Sequence, residues 1–558
     1  MPRIIRPDLA FKQMQRYRQV VAVFTRYGFG EFLGLIRIWE YINIEKKFLH
    51  RERQLETLSV PQRLRLALEE LGPTFVKLGQ MLSTRPDIVP HNFIVELEKL
   101  QNRVAPIPTE IARRVIESEL KKPISEIFSS FDDQPLAAAS LAQVHRASRN
   151  GSDLVVKVQR PNITQVIEVD LEIMHNLAAL MERYLHGTYV INPVGLVREF
   201  AENIKRELDF RIEAVNMRRF AQDFAGTAWV HVPAVYSDPG YTQRVLIMEY
   251  VEGIFISDLD RLRREGYDLK RIARHGADIG FRSTLEHGFF HADPHPGNLI
   301  IQPGNVICLL DYGMMGTLSN RFRERLGRMI YYIINNDEKR TARALLGLME
   351  SSQVIDAETL EVQVSNIIQE YAHLALREIQ LGNMLFKLLR LLSEHHVRFP
   401  THLIWLSKAI TTVEDVAHKL DPDFDMLEYA KPYARRFIIR NLNPANQTRE
   451  AFLTALDSFD LLRDLPYDAG VILDQLKKGR VKIEFEHIGL EPIRKTITRV
   501  TNRLGGTIVL AAVLVASSLI VVADLPPKVG EVPIIGIAGF GISLILAVAL
   551  LIAAIFDR

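Results

Sequence analysis

At 558 residues the chain is longer than one typical domain, so two or three folded units are expected. Its 69 Lys and Arg stand against 67 Asp and Glu, a formal charge of +2, and there is no compact basic-aromatic module, so neither feature argues for nucleic acid and no nucleic-acid partner is expected. The single cysteine, Cys308, excludes disulfides within the chain and favours a reducing compartment, with a small buried hydrophobe as its plainest role.

The N-terminal Met1-Pro2-Arg3-Ile4-Ile5-Arg6 lacks the apolar core and small-residue cleavage site of a secretory signal, so translocation of the main body is not expected. From about residue 10 to 70, basic and apolar residues recur at helical spacing, as in Tyr17-Arg18-Gln19-Val20-Val21-Ala22-Val23-Phe24. The charges are mixed rather than confined to one face, which favours packing onto the main body over a membrane-surface helix. A further helix starts at Pro73 and ends before Pro86. Gly79 costs that helix roughly 1 kcal/mol relative to Ala, which points to a close contact there. Lys77 on its apolar face needs a carboxylate partner; without one it is a snorkelling surface lysine.

Leu136 to Ala147 leads into Asn150-Gly151 and then Leu154-Val155-Val156-Lys157-Val158. Asn-Gly between two apolar-alternating runs is the strongest short hairpin signal. Lys157 sits between two valines, a poor place for a solvated lysine if both pack inward. Glu207 to Asn216 reads as helix, with Asp209 and Glu213 one turn apart and repelling by a few tenths of a kcal/mol. Lys157 paired with Glu213, and Lys77 with Glu207 or Asp209, would cancel that cost; a charged face meeting water is the even alternative. Arg244 to Gly253 is a strand running into a short connector.

The densest chemistry follows, in Phe289-Phe290-His291-Ala292-Asp293-Pro294-His295-Pro296-Gly297-Asn298 and Leu309-Leu310-Asp311-Tyr312-Gly313. Asn298 follows Asp293 by five positions and Asp311 follows Asn298 by thirteen. These intervals separate the catalytic Asp, the metal-binding Asn and the second metal-binding Asp of protein-kinase-like folds. Leu299-Ile300-Ile301, a Pro303-Gly304-Asn305 turn and Val306 to Leu310 form a hairpin that sets Asn298 beside Asp311. Two converging oxygen donors suit Mg²⁺, which shares its shell with waters and substrate phosphates. Asp293 would orient or deprotonate the group attacking the terminal phosphate. The bland alternative, turn residues capping a loop, explains the residue types but not the joint spacing.

In such a fold Lys157 touches the α- and β-phosphates, and the hinge around Glu249 and Val251 receives adenine. The covering loop is Leu136, Ala137, Ala138, Ala139, Ser140, Leu141, Ala142, Gln143 and Val144. Alanine in place of glycine should let its backbone approach the phosphates less freely. After Gly313 the chain passes into a helix from about 321 to 334 with no Ala-Pro-Glu and no long activation segment, so an ordinary peptide platform is not expected. Residues 335 to 440 continue as helices, broken at Pro400 and Pro422.

Leu504 to Ala523 and Val532 to Phe556 carry no charges, and each is long enough to span a bilayer. Lys477, Lys478, Arg480, Lys482, Arg494, Lys495, Arg499 and Arg503 precede the first span, while the connecting turn holds only Lys528. The positive-inside rule then keeps the main body in the cytoplasm.

Lys77-x-Gly79-Gln80, Ala137-Ala138-Ala139-Ser140, Glu207-x-Asp209, Glu213-Ala214-x-Asn216, His291-x-Asp293-Pro294-His295-Pro296-Gly297-Asn298 and Asp311-x-Gly313 are specific motifs. With them the chain resembles the UbiB/AarF family of atypical kinases, whose eukaryotic relatives are the ADCK proteins, over roughly residues 20 to 440 and the two C-terminal spans. The resemblance implies an α+β, protein-kinase-like two-lobed fold. Residues 1–125 form an N-terminal helical extension, 126–440 the kinase-like domain with lobes dividing near 250, 441–503 an amphipathic basic linker and 504–556 a transmembrane helical hairpin. It implies that the helix of Lys77, Gly79 and Gln80 fills the peptide site, Lys77 meeting the Glu207-x-Asp209 carboxylates while Lys157 pairs with Glu213.

It also implies ATP or ADP with Mg²⁺ as cofactors, Asp293 as catalytic residue and Asn298 and Asp311 as metal ligands. The implied setting is isoprenoid quinone biosynthesis, ubiquinone best known, at the bacterial inner membrane. Membrane lipids, quinone precursors and quinone-biosynthesis enzymes would be partners. Two positions depart from the family pattern: Ala142 stands where many members have Gly, and Tyr312 replaces the Phe of Asp-Phe-Gly. Neither is a phosphate or metal ligand. A non-catalytic, nucleotide-gated scaffold is the rival reading; a small-molecule kinase is a second, but it does not predict Lys77-x-Gly79-Gln80 or the spans.

Overall fold

The computed structural model describes residues 7–38, 58–85, 88–100, 105–184, 192–238, 240–335, 337–348, 357–372, 380–395, 400–441, 491–523, 526–529 and 532–556. They fall into two units, residues 1–449 and 450–558.

The first unit begins with a helical layer. Helix α1 (Pro7–Phe24) buries Val20, Val21 and Val23, and its Arg16 meets the fully buried Asp170 at 2.7 Å. The basic-apolar stretch near the N-terminus therefore packs on the body, because its cations find carboxylates there; residues 39–57 lie outside the described residues. After α2 (Gly30–Leu35), helix α3 (Val60–Leu71) opens on a capping box in which Ser59 and Gln62 satisfy each other's amides. Helix α4 (Pro73–Ser83) has Pro73 in its first turn, where a missing N–H costs nothing. Its Phe75 and Val76 join Leu68, Leu71, Leu97 and Leu100 in one apolar cluster that includes α5 (His91–Leu97). A Cβ on Gly79 would collide with Leu100 and stand 2.9 Å from Leu68 Cδ1. The close contact expected at this glycine is thus a helix-to-helix contact.

Helices α6 (Thr109–Leu120) and α7 (Ile124–Ile127) cover one face of an antiparallel sheet. In that sheet β1 (Ser130–Phe131) and β2 (Ala137–Ala138) both pair with β3 (Ala142–Arg149), which pairs with β4 (Ser152–Gln159). Asn150 and Gly151, at φ 51° and 79°, make the two-residue turn between β3 and β4. After α8 (Ile163–Tyr184), α9 (Pro193–Glu207), α10 (Phe210–Asp223) and the short β5 (Val230–His231), strand β6 (Val245–Glu249) closes the sheet on β4. Val156 and Val158 are completely buried against Ala112, Val115 and Ile116. Strand alternation therefore turns Lys157 to the opposite face, toward α10.

Beyond the connector come β7 (Ile254–Phe255), α11 (Leu259–Arg264), α12 (Leu269–Phe281), β8 (Phe289–His291), β9 (Leu299–Gln302), β10 (Val306–Leu309) and β11 (Met315–Thr317). Strands β5, β10, β9 and β7 form a second sheet in that order, with β5 parallel to β10, and β11 pairs with β8. The helices that follow are α13 (Asn320–Ile334), α14 (Glu338–Leu346), α15 (Ala357–Ala372), α16 (Leu381–Glu394), α17 (Thr401–Leu420) and α18 (Met426–Asn441). Pro400 caps α17, and the break before α18 contains Pro422, as the sequence predicts.

In the second unit, helix Glu491–Val522 and helix Ile534–Phe556 pack together through small residues. A Cβ on Gly536 would stand 3.3 Å from the Ser517 carbonyl, and one on Gly539 would meet the Ser517 side chain. The segment Leu504–Val522, 19 residues with mean hydropathy 2.4, is long and apolar enough to cross a bilayer. The second segment differs from its expected extent. Val532 and Pro533 pair as a strand with Lys528 and Val529, so the helix starts at Ile534, two residues later than expected. Lys477, Lys478, Arg480 and Lys482 of the expected linker lie outside the described residues.

Overpacking a tight contact costs about 1–3 kcal/mol, against about 1 kcal/mol of helix propensity gained on replacing Gly by Ala. Gly79→Ala should therefore lower the thermal midpoint of the protein. A raised midpoint would mean that Leu100 and Leu68 yield.

Candidate active site

The catalytic-loop candidates are shaped by a few backbone bonds. The His295 amide donates to the Asp293 carbonyl at 2.7 Å and the Asn298 amide to the His295 carbonyl at 2.8 Å, folding Pro296–Asn298 into a single tight turn. The hairpin then runs Leu299 against Leu309, and the Leu310 amide donates to the Asn298 carbonyl at 2.9 Å. Asn298 and Asp311 are thereby brought together, one ladder position apart. The turn works because Gly304 and Asn305 accept φ of 83° and 61°.

His291 ties the two halves of this site to each other. Its Nδ1 accepts the Asp293 amide at 3.0 Å and its Nε2 lies 2.6 Å from the Asp311 carbonyl. Because the amide donates to Nδ1, the proton belongs on Nε2, where it reaches the carbonyl. Asp311 Oδ1 accepts the Gly313 amide at 2.8 Å. From α10, Asn216 Nδ2 donates to the Tyr312 carbonyl at 2.9 Å.

Lys157 Nζ lies 2.8 Å from both oxygens of Glu213, 3.8 Å from Asp311 Oδ1 and 5.3 Å from the centre of the Phe210 ring. Desolvation opposes its charge, but the Asp311 and Glu213 carboxylates outweigh it and hold the ammonium protonated, above the ordinary lysine range. Burial also raises Asp311, yet Lys157 and the Gly313 amide hold that carboxyl well below the usual carboxylate range. Glu213 is pushed up to about 7 by its own burial, with Lys157 pulling down and Asp311 pushing up. One cation thus serves two carboxylates, and the more exposed of them, Asp311, keeps its charge more firmly.

The two paired lysines of the sequence reading part company at Asp209. Lys77 Nζ bonds to Glu207 Oε1, linking α4 to the end of α9. Asp209 instead caps α10 and binds Arg211 at 2.6 and 2.8 Å, because its place just before the helix turns its carboxylate onto the first-turn amide. Gln80 Nε2 donates to the Leu100 carbonyl at 3.1 Å, tying α4 to the chain beyond α5.

The covering loop is a short hairpin. Ala137 and Ala138 pair with Val144 and Gln143, and the Ala139 amide donates to the Ala142 carbonyl at 2.8 Å. No residue from 137 to 144 has positive φ, so alanine fits without strain. The side chains of Leu141 and Gln143 serve packing. Leu141 joins the α3 and α4 cluster, and Gln143 bonds both ways with the Ile107 backbone at 2.8 and 3.3 Å. Arg160, which the sequence did not single out, holds the tip. Its amide and Nε each lie 2.9 Å from the carbonyls of Leu141 and Ala139.

At the connector, the Glu249 carboxylate accepts the Ala234 amide at 3.0 Å and sits 3.1 Å from His231 Nε2. Val251 packs with Ile300, Cys308 and Leu310 in a small apolar patch. Lys408 was missed altogether. From α17 its Nζ lies 2.9 Å from Asp293 Oδ1. The available signal was that His291 to Asn298 contains no lysine or arginine to accompany the aspartate.

Tyr312 is completely buried, 5.4 Å from the Phe220 ring centre, and its hydroxyl has no hydrogen-bond partner among the described residues. An unsatisfied buried hydroxyl costs about 1–3 kcal/mol. Tyr312→Phe should raise the thermal midpoint; a lowered one would show that the hydroxyl has a partner in solution.

Three family models match the chain: the ABC1 atypical kinase-like domain over residues 99–345, the UbiB helical domain over 364–425, and the ABC1/UbiB kinase-like C-terminal domain over 488–556. An uncharacterised protein from the hydrogenase 1 5′ region of Clostridium pasteurianum is 30% identical over 543 residues, 96% of this chain and 98% of that protein. A probable protein kinase UbiB of Shewanella denitrificans is 33% identical, covering 85% of this chain and 86% of its own. The chloroplastic protein Activity of bc1 complex kinase 7 of Arabidopsis thaliana is 37% identical over 72% of this chain and 57% of its own.

Proposed function

The chain belongs to the ABC1/UbiB family of atypical kinase-like proteins, and on that premise we propose that it is a membrane-anchored, ATP- and Mg²⁺-dependent ATPase or phosphotransferase supporting isoprenoid quinone biosynthesis. The observation that carries the reading is the convergence of Lys157, Glu213 and Asp311, with Asn298 held one ladder position from Asp311 by its backbone and Asp293 bound to the same hairpin through His291.

The donor set fits Mg²⁺. Asp311 is held ionised and Asn298 adds a neutral oxygen on the adjoining ladder position, an all-oxygen pair that leaves room for water and phosphate. When bound, the ion would neutralise charge on the terminal phosphates. Lys157, already protonated, binds the inner phosphates, and Glu213 fixes where its ammonium points. Asp293 orients the attacking hydroxyl or water and receives its proton. The hairpin of Ala137 to Val144 covers the nucleotide, and the connector at Glu249 and Val251 receives adenine. Adenine would stack on the apolar patch beneath Val251.

By the family resemblance, the helix joined through Lys77–Glu207 would fill the side on which a protein kinase receives a peptide, which favours water or a small or lipidic acceptor over a polypeptide. That closure equally suits the scaffold reading, in which nucleotide only moves the helical cover. The family's link to ubiquinone gives the physiological setting, with quinone precursors, quinone-biosynthesis enzymes and membrane lipids as partners.

For the membrane anchor, Leu504, Ile508, Val515 and Leu519 point outward on the first C-terminal helix, at 60–62% exposure, as they would toward lipid. The basic residues that precede it support a main body on the cytoplasmic side of the bacterial inner membrane.

Asp293→Asn should retain Mg-ATP binding and lose ATP turnover by about 100-fold or more, measured on the full chain in lipid. Unchanged turnover would falsify the role of Asp293. Restoration of quinone synthesis by the same variant in a deficient strain would favour the scaffold. In sealed vesicles with the body outward, protease should spare the turn around Lys528 and digest the body; cleavage at the turn would reverse the topology.

A further inference from the structure

Phosphoryl transfer concentrates negative charge around the base, the metal ligands and the transferred group, so positioned cations are part of the machinery. Here the two lysines of the nucleotide side are committed. Lys157 lies between Glu213 and Asp311, and Lys77 is bonded to Glu207. The segment His291 to Asn298 supplies neither lysine nor arginine. The cation at Asp293 comes instead from the helical region after the catalytic loop, where Lys408 Nζ stands 2.9 Å from Oδ1.

Helix α17 holds that lysine firmly. Leu403, Ile404, Leu406, Ser407 and Ala409 around it are buried, and the buried Glu414 on the same helix accepts the amides of Leu381 and Gly382 at 2.9 Å, locking α17 to α16. Glu98, just past α5, is within Coulombic range of Lys408, Asp415 and His91. Lys408 therefore has a second anion, Glu98, within Coulombic range, yet its ion pair is made with Asp293. That contact reaches the carboxylate at Oδ1.

We infer that Lys408 is a positioning residue for Asp293, so that the helical region contributes directly to the active centre. The lysine holds the carboxylate in one orientation and keeps it from turning toward the metal-binding pair. The inference rests on the catalytic reading of Asp293.

The test compares Lys408→Met, Lys408→Gln and Lys408→Arg with the wild type and Asp293→Asn, each as the full chain in lipid vesicles. ATP turnover, Mg-ATP affinity and thermal midpoint are measured for each. Lys408→Met should lower kcat by about 10- to 100-fold, the scale of a mispositioned catalytic group, with Kd for Mg-ATP unchanged within about twofold. Lys408→Arg should recover most of the rate, since a guanidinium can hold the same carboxylate. Wild-type kcat in Lys408→Met, or a loss expressed in nucleotide affinity instead, overturns the inference; if the Met variant unfolds, Lys408→Gln is read by the same criteria. If the wild type itself turns over no ATP, or Asp293→Asn matches it, the catalytic reading fails first, whatever Lys408 does.

Discussion

The ammonium of Lys157 is the interaction on which this arrangement depends. It is supplied by the central strand β4, bonded to Glu213 on α10 and drawn toward Asp311 at the end of the β9–β10 hairpin. Three elements distant in sequence are thereby held to one point. An uncompensated buried charge costs about 3–5 kcal/mol, so the buried Glu213 depends on the lysine being there, whereas the half-exposed Asp311 keeps part of its hydration. Helix α10 does more than carry Glu213. Asn216 holds the Tyr312 carbonyl and Phe220 packs on the Tyr312 ring, so the segment after Asp311 is fixed by the same helix that fixes the lysine.

Around this centre, helical additions take the places left open in a minimal two-lobed fold. The α6 and α7 layer covers the sheet face opposite Lys157. Helix α4 brings Lys77 to Glu207, and α17 brings Lys408 to Asp293. The covering hairpin is tied down as well, through Leu141 in the α3 and α4 cluster and Arg160 on its carbonyls. A loop held from outside in this way has no need of glycine's conformational freedom. That is the physical reason alanine is tolerated in Ala137 to Ala139.

The C-terminal unit follows other rules. Its helices meet through Gly506, Gly536, Gly539 and Ser517, residues small enough for close approach, while Leu504, Ile508, Val515 and Leu519 point away. Ser517 and Ser543 satisfy their hydroxyls on the carbonyls four residues earlier, at 2.7 and 2.9 Å, so neither needs water. Such a pair suits a surrounding without water, where every polar group must be satisfied within the protein.

The sequence by itself determined whatever is local in the chain. Asn150-Gly151 specified a two-residue hairpin, Pro303-Gly304-Asn305 a second turn, Pro73 a helix start, and the offsets among Asp293, Asn298 and Asp311 the unit that brings them together. The need for a carboxylate beside Lys157 was legible too, because two flanking valines pointed inward. Only the tertiary structure decided between partners lying far apart in sequence. Asp209 and Glu207 looked equivalent as acceptors for Lys77, and helix capping turned one of them to Arg211. The absence of a cation from His291 to Asn298 showed that one was wanting but not that Lys408 supplies it, since a lone lysine on an amphipathic helix looks like any solvated cation. Spacing encodes contacts along one turn or one hairpin; contacts between elements depend on packing angles, which no short stretch of sequence contains.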